Sequence, residues 1–399
     1  MTLPPDAINA LLEAMFAVQL ALRDALHALG LTGEVAGQPA WPFARRLAAQ
    51  MLVIDGGHAR RVVLTLVCLS LALVLTFVLI LLLAWRGHRA RWVSRVRWGL
   101  ASAALALVLL APWPSPQLLL APAVPTSLHR SPTDFAAQGI VRGQAVYAAH
   151  CVRCHGADAR GEGPDAAQLP VWPPMLSGGL LWKRLEGELF WQVRHGMHGR
   201  DGRQTMPGIG PVQVSDAEIW QLLDYLQAHA AGRMLRESGA WERPVRMPAA
   251  ALRCRYGGLR DTRSLQGQRL QVVLPAPGAA LPPEDPRMVS VVLGGATPTP
   301  EFESECEAAD AHLLPALALL LGVEPTAASG YTLLVDRAGW LRARSQPGQG
   351  GWSEDDLVCR SAPGAATSSR VPVDGQGLDA LLRRMDADEV RLVRGGFPH

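Results

Sequence analysis

The chain of 399 residues is long enough for more than one domain. Hydrophobic residues make up 49% of it, which excludes an intrinsically disordered chain. A formal net charge of +3 at pH 7 is too small to indicate a nucleic-acid partner. Six cysteines in this length do not form the dense framework of a small disulfide-stapled protein.

The first predicted element is an amphipathic helix over residues 7–29. Apolar side chains recur at helical spacing from Ile8 onwards, and polar ones such as Glu13 fall on the opposite face. Such a helix lies on a membrane surface or packs against other helices. The segment that follows, up to residue 61, is irregular, with turns marked by glycine and proline.

Two apolar runs predict a transmembrane hairpin over residues 62–120. Residues 62–85 contain no charged side chain and exceed the length needed to cross the roughly 30 Å hydrocarbon core. Residues 98–113 form a shorter run that ends at prolines, and a re-entrant or interfacial helix is the alternative there. Five arginines and no acid between residues 86 and 97 predict a cytoplasmic loop. The hairpin therefore places the chain after residue 120 outside the cytoplasm.

A linker over residues 121–135 leads towards the motif Cys151-Val152-Arg153-Cys154-His155. Two thiols separated by two residues and followed by a histidine are typical of haem attachment. Each thiol forms a thioether with a vinyl group of the porphyrin, and the histidine supplies the proximal iron ligand. A zinc site would need further paired ligands, and a thioredoxin-like dithiol would have no use for His155. The sequence predicts one covalent haem c held by Cys151, Cys154 and His155.

The motif lies in a stretch, residues 140–228, that resembles a class I cytochrome c domain. Gly143 and Tyr147 precede the motif, Met206-Pro207-Gly208 follows it, and the last helix ends at Asp224-Tyr225-Leu226. The resemblance implies an all-α domain over residues 136–232 that carries one haem and transfers single electrons. In the family, the helix face that carries the glycine and the tyrosine crosses the last helix.

Two further features belong to this predicted domain. Ser215 and Glu218 form a capping box, which opens the last helix. The family orients the ring of the proximal histidine through a proline carbonyl. Pro164 is the first candidate for that proline, and Pro173 and Pro174 are the alternatives between which the sequence does not decide.

Met206 is the predicted sixth ligand of the iron. It precedes a Pro-Gly pair in a loop shortly before the last helix, as the axial methionine of the family does. Methionine–histidine ligation raises the reduction potential of the iron, and it also closes the sixth position to small molecules. The other candidates are His198 and Met197, followed by Met175 and His195.

A charged linker over residues 233–251 precedes a predicted C-terminal domain over residues 252–399. The predicted elements are strands at 269–274 and 288–293, a helix at 308–321, a hairpin at 331–343 and a helix at 378–385. This order resembles a thioredoxin-like α/β domain of the peroxiredoxin or Sco type. Such domains carry redox or copper-binding cysteines after the first strand, where this chain has Pro275-Ala276-Pro277-Gly278. A dithiol enzyme is therefore not expected.

Three cysteines remain for the C-terminal region, namely Cys254, Cys306 and Cys359. In an oxidising compartment, one disulfide and one free thiol are the expected arrangement. Three thiolate ligands for copper are the alternative.

The sequence as a whole predicts a multidomain protein with N-terminal transmembrane helices, an all-α class I cytochrome c domain and a C-terminal thioredoxin-like domain. We expect it in the bacterial inner membrane, with the haem and C-terminal domains in the periplasm. The expected partners are a redox donor and an acceptor, such as a terminal oxidase or a copper-handling protein. The alternative is a Sco-like assembly protein with a haem c domain. No general base, nucleophile or open metal site has supporting spacing, so a substrate-converting enzyme is not expected.

Overall fold

The computed structural model describes residues 5–48, 56–84, 91–113, 120–178, 181, 184–241, 243–279, 281–294, 305–349, 351–359 and 377–390. These residues form two compact units. The first holds the described residues of 5–21 and 43–123, and the second holds those of 22–42 and 124–390. Each unit is described by itself.

The chain begins with helix α1 over Pro5–Ala28, where the amphipathic pattern predicts a helix. The next residues, predicted to be irregular, form a hairpin of β1, Glu34–Val35, and β2, Gln38–Pro39. This hairpin belongs to the second unit, and Ala36 at its turn packs against an apolar cluster of that unit. Trp41 follows and is buried. Residues 34–41 are therefore part of a packed structure.

The first unit contains two apolar helices, α2 over Gly56–Ala84 and α3 over Arg91–Leu109. Within the described part of the chain, Arg60–Leu83 is the one segment that is long and apolar enough to cross a membrane. This finding covers one of the two predicted spans, because α3 begins among arginines. Residues 86–90 of the predicted arginine loop lie outside the described residues. Strands β3, Arg45–Leu47, and β4, Leu120–Pro122, pair antiparallel in the same unit.

Helices also dominate the region around the Cys-x-x-Cys-His motif. They are α4 (Ala137–His150), α5 (Val152–His155), α6 (Glu186–His195) and α7 (Asp216–Ser238), with a small hairpin of β5 (Met197–His198) and β6 (Gln204–Met206). The predicted capping box of Ser215 and Glu218 is present at the start of α7. The helix extends past its predicted end near residue 230, because Leu235 is buried in a core shared with the C-terminal sheet. It stops at Gly239, which adopts the left-handed conformation.

Helices α4 and α7 cross in close contact. A Cβ added at Gly143 would overlap the backbone carbonyl of Gln221, so a glycine is required at this crossing. Tyr147 lies one turn further along α4, and its ring centroid is 5.3 Å from that of Tyr225. The prediction that the face with Gly143 and Tyr147 crosses the last helix is confirmed.

The C-terminal region is a mixed eight-stranded half-barrel sheet with helices α8, Leu313–Leu321, and α9, Leu378–Ala387. The strands are β7 (Val245–Arg246), β8 (Ala251–Cys254), β9 (Gly258–Asp261), β10 (Arg269–Val273), β11 (Met288–Val292), β12 (Cys306–Ala308), β13 (Thr332–Val335) and β14 (Trp340–Ser345). Their order in the sheet is β7-β14-β13-β10-β11-β12-β8-β9. β10 runs parallel to β11 and antiparallel to β13, which forms the predicted hairpin with β14.

The sheet is larger than the predicted set of four strands. Residues 306–308 form β12 between β11 and β8, so the helix predicted from residue 308 begins only at Leu313. Strand β7 lies in the predicted linker and pairs with β14 at one edge of the sheet. The described residues between β10 and β11 contain no helix, as expected from their prolines.

One hydrophobic core joins the helices around the motif to the C-terminal sheet. Ile140 of α4 and Leu235 of α7 belong to the same buried cluster as Val272 of β10 and Leu317 of α8. Helices α7 and α8 approach so closely that a Cβ at Gly232 would overlap a backbone carbonyl of α8. The regions that the sequence divides by a linker are therefore packed against each other.

Candidate haem site

The Cys-x-x-Cys-His motif forms a tight turn at the end of α4. The N–H of Cys151 donates to the carbonyl of Tyr147, which ends α4, and the one-turn helix α5 follows. Gly156 then turns the chain with a φ of 76°, a value that favours glycine. Both thiols are free and half-buried, and His155 is buried. The side chains of Cys151, Cys154 and His155 thus project from a single turn of helix, within a stretch of five residues.

A loop over residues 161–165 holds the backbone of this turn. The N–H groups of Gly161 and Gly163 donate to the carbonyls of His155 and Cys154 at 2.8 and 3.1 Å. A Cβ at Gly163 would overlap the carbonyl of Arg153, so the loop crosses the motif in direct contact. The carbonyls that the short helix leaves unpaired therefore find partners, and the motif is fixed in position.

An apolar wall adjoins the motif. Its members, contributed mainly by α4, α6 and α7, include Val146, Tyr147, Phe190, Ile219, Trp220, Leu223 and Tyr225, and Cys151 packs against them. The hydroxyl of Tyr147 donates to the carbonyl of Gly156 at 2.7 Å. Burial raises the pKa of Tyr147 and also raises that of Tyr225, to about 12. This wall excludes water from one side of the motif.

His155 is held in a dry environment. Burial lowers the pKa of its ring, and hydrogen bonding to the backbone of Pro174 opposes that change. Nδ1 is buried and makes no hydrogen bond of regular geometry, so the interaction with Pro174 is weak. Pro174 is one of the three prolines predicted for this role. A neutral imidazole beside two thiols fits the attachment of haem c.

The predicted sixth ligand lies in the small hairpin. Met206 is the last residue of β6 and is half-buried, and its cross-strand partner is Met197 in β5. The alternatives Met175 and Met197 are 44% and 37% exposed. The structure therefore brings the first choice and two alternatives, Met197 and His198, into the same hairpin. His195 is exposed and stacks on Trp191, with ring centroids 3.6 Å apart.

Arg194 ties down the loop that follows Met206. Its guanidinium is largely buried and donates to the carbonyls of Ile209 and Val214 at 2.8 Å each. It also pairs with the carboxylate of Asp216 at the start of α7. One side chain of α6 thereby connects residues 207–214, which we call the methionine loop, to α7. The sequence did not reveal this role, because Ile209 and Val214 lie 15 and 20 residues further along the chain.

Asp224 is a second residue that the sequence analysis did not single out for its chemistry. Its carboxyl is buried on α7, and Oδ2 has no hydrogen-bond partner among the described residues. Burial raises the pKa of this carboxyl to about 7, and Glu186 and Asp134 add to the rise. A hydrogen bond from Thr133 acts in the opposite direction.

The C-terminal cysteines follow the expected pattern. Cys254 and Cys306 form a disulfide across β8 and β12, and Cys359 is a buried free thiol whose pKa is raised to about 11 by burial. Because two of the three sulfurs are bonded to each other, the structure does not form the alternative three-thiolate copper site. Among the described residues, no cluster of three or more histidine, cysteine or acidic side chains could hold a metal ion.

Comparison with known proteins agrees with this geometry. Residues 138–226 match the family model described as cytochrome C oxidase, cbb3-type, subunit III. This region is a cytochrome c domain. A cytochrome c domain implies covalent haem c and haem-based electron transfer. The match stops before the C-terminal sheet, which it leaves uncharacterised.

Among solved structures, a chain of the Kuenenia stuttgartiensis reducing HAO-like protein complex is 21% identical to this one. The likeness covers 33% of this chain and 59% of that chain, with a TM-score of 0.21, so it carries no structural argument. No curated protein matches the sequence.

Proposed function

We propose that this protein is a membrane-anchored c-type cytochrome that passes single electrons between redox partners. The observation that carries the proposal is the Cys-x-x-Cys-His turn, which has its histidine buried and its carbonyls bonded to a glycine loop. In this proposal Cys151 and Cys154 form the thioethers, and His155 and Met206 hold the iron. The haem supplies a one-electron couple when it is bound.

The remaining roles belong to the residues around the motif. The carbonyl of Pro174 orients the ring of His155. The apolar wall with Tyr147 and Tyr225 excludes water, which keeps the surroundings of the iron at low dielectric. Arg194 holds the loop after Met206 in place.

The membrane region sets the proposed location. Arg60–Leu83 has the length and composition of a spanning helix. We place α3 as a second span. The arginine-rich segment, residues 86–97, then lies in the cytoplasm, and the haem lies in the periplasm of a bacterial inner membrane. The cbb3-type likeness supports a terminal oxidase among the redox partners.

The C-terminal sheet is proposed to be a degenerate thioredoxin-like domain. Support comes from the parallel pair β10–β11, the helix α8, the hairpin β13–β14 and the helix α9, which occur in the order of that fold. The helix that would follow β10 is replaced by a loop. A copper-handling role would need accessible thiols, whereas Cys254 and Cys306 are bonded together and Cys359 is buried.

Ligand access at the iron tests the proposal. The purified protein should titrate as one reversible one-electron couple and should not bind carbon monoxide when reduced, because a six-coordinate iron has no free position. Met206→Ala should lower the potential and admit carbon monoxide. Met197→Ala, which changes its partner in the same hairpin, is the control and should do neither.

Two results would overturn the assignment. If the parent protein binds carbon monoxide freely, the haem has a ligand-binding role rather than a carrier role. If Met197→Ala alters the potential and Met206→Ala does not, the sixth ligand is Met197.

A further inference from the structure

A cavity of about 630 Å³ lies against the eight-stranded sheet, far along the chain from the haem motif. Gln271 and Val273 of β10 line it together with Thr332 of β13 and Leu378 of α9. Gln271 and Val273 are two residues apart on one strand, so their side chains share a face of the sheet. The volume falls in the range of small-molecule sites.

The connection between β10 and β11 explains why this face is open. Parallel neighbouring strands are usually joined by a crossover helix that covers one face of the sheet. Here the described residues between 274 and 287 form a loop, and Pro275, Pro282 and Pro283 line the cavity. Where a thioredoxin-like domain carries its cysteines and a helix after the first strand, this chain has a proline-containing loop and an open cavity.

The cavity wall contains a polar atom that lacks a partner. Gln271 is 2% exposed, and its Oε1 is buried with no hydrogen bond to any described residue. A buried amide oxygen without a partner is unfavourable. In the wall of a cavity, this atom can be satisfied by a ligand that donates an N–H or O–H group.

The remaining wall defines the rest of the ligand. None of the described residues that line the cavity carries a charge, so an ionised ligand would lose its hydration without gaining a counter-charge. Trp352 is half-buried and lines the same cavity as Pro347 and the prolines of the β10–β11 loop. Flat apolar surfaces of this kind favour an aromatic ring.

We propose that this cavity binds an uncharged aromatic molecule with a single N–H or O–H donor. The donor bonds to Oε1 of Gln271, and the ring packs between Trp352 and the prolines. This site is independent of the haem and of the redox function proposed above.

Calorimetric titration of the purified full-length protein with three probes tests the proposal. Indole is a neutral ring with one N–H donor, 1-methylindole lacks the donor, and indole-3-carboxylate adds a charge. Indole should bind about tenfold more tightly than 1-methylindole, which is the effect of one neutral hydrogen bond, and the carboxylate should bind most weakly.

Variants then assign the contacts. Gln271→Leu should weaken indole binding about tenfold and leave 1-methylindole unchanged. It also removes an unsatisfied buried group, so the variant is expected to fold. Trp352→Ala should weaken both neutral probes. Gln266→Leu, the same change at an exposed glutamine outside this cavity, is the control and should alter neither.

Two results would overturn the proposal. One is the failure of all three probes to bind at millimolar concentration. The other is indole binding that Gln271→Leu and Trp352→Ala leave unchanged, since this would place the probe elsewhere on the protein.

Discussion

At the scale of single residues, Gly143 and Gly139 form a matched pair on α4. Alanine is a better helix former than glycine by about 1 kcal/mol, so either change to alanine would stabilise an isolated helix. A Cβ at Gly143 would overlap the carbonyl of Gln221, whereas one at Gly139 would make ordinary contacts with the side chains of Gln221 and Asp224, at 3.4 and 3.7 Å. Gly143→Ala should therefore lower the free energy of unfolding by about 2 kcal/mol.

Denaturant unfolding of both variants checks this prediction. Gly139→Ala should leave the stability unchanged or raise it by up to about 1 kcal/mol. Equal losses for the two variants would show that α4 and α7 do not cross at Gly143.

Ionisation of Asp224 makes the free energy of unfolding fall as the pH rises. Its pKa is about 7 in the folded protein and about 4 in an unfolded chain, so the folded state holds the proton more tightly. Between these two values the unfolded state releases its proton first, and folding loses free energy with rising pH. Asp224→Asn removes the ionisation while keeping the shape of the side chain.

The measurement is the unfolding free energy of parent and Asp224→Asn at pH 4 to 8. The advantage of the variant should grow from pH 4 to about pH 7 and then level off, reaching a few kcal/mol at about 1.4 kcal/mol per pKa unit. A constant difference between the two proteins across this range would show that Asp224 is not buried as a neutral acid.

The sequence predicts covalent chemistry at this scale because Cys151, Cys154 and His155 are local in the chain. Their spacing alone carries the prediction of haem attachment. Asp224 and Arg194 could not be recognised in the same way. Their properties depend on burial and on partners such as Thr133 and Val214, which lie far away in sequence.

At the scale of elements, α6 positions the methionine loop through Arg194. Arg194→Met keeps an apolar stem similar to that of arginine but removes the guanidinium and its bonds to the carbonyls of Ile209 and Val214. We expect the loop to loosen, so that part of the reduced protein binds carbon monoxide while His155 stays in place. The readouts are the fraction of carbon monoxide complex and the reduction potential.

Arg203→Met is the control for this change. Arg203 precedes β6, in the same hairpin as Met206. Its side chain is 79% exposed and pairs only loosely with Asp201, at 3.6 Å. This variant should behave like the parent protein. If the Arg194→Met protein also excludes carbon monoxide, the hydrogen bonds of Arg194 do not position the methionine loop.

Elements with a strong local signal were predicted well. The capping box of Ser215 correctly predicted the start of α7. The turn after Asp336 correctly predicted the hairpin of β13 and β14. Strands β8 and β12 were missed because each is short and is stabilised by pairing with the other across a long stretch of chain. Local periodicity does not report such pairing.

At the scale of the whole molecule, the membrane hairpin is the next prediction. Reporter fusions after residue 120 should be active only outside the cytoplasm, and fusions within residues 86–97 only inside. If α2 were the only span, both fusion points would lie on the same side of the membrane and this difference would disappear. Periplasmic activity from a fusion in the arginine-rich segment would contradict the two-span topology.

The sequence divided the second half of the chain into two domains, whereas the structure packs them around one core. Apolar periodicity shows that a face such as that of Ile140 and Leu235 is buried, but it does not show against what. The partner surface is contributed by Val272 and Leu317, and it becomes apparent only in three dimensions.

The proposed electron-transfer function rests on covalent attachment of haem to Cys151 and Cys154, and intact-protein mass spectrometry under denaturing conditions measures this attachment. The purified parent protein should have the mass of the polypeptide plus one haem, and so should Cys359→Ala, which changes a buried thiol elsewhere. The Cys151→Ala/Cys154→Ala double variant should have the mass of the polypeptide alone. A parent protein without haem, or a double variant that keeps it, would contradict the assignment of this chain as a c-type cytochrome.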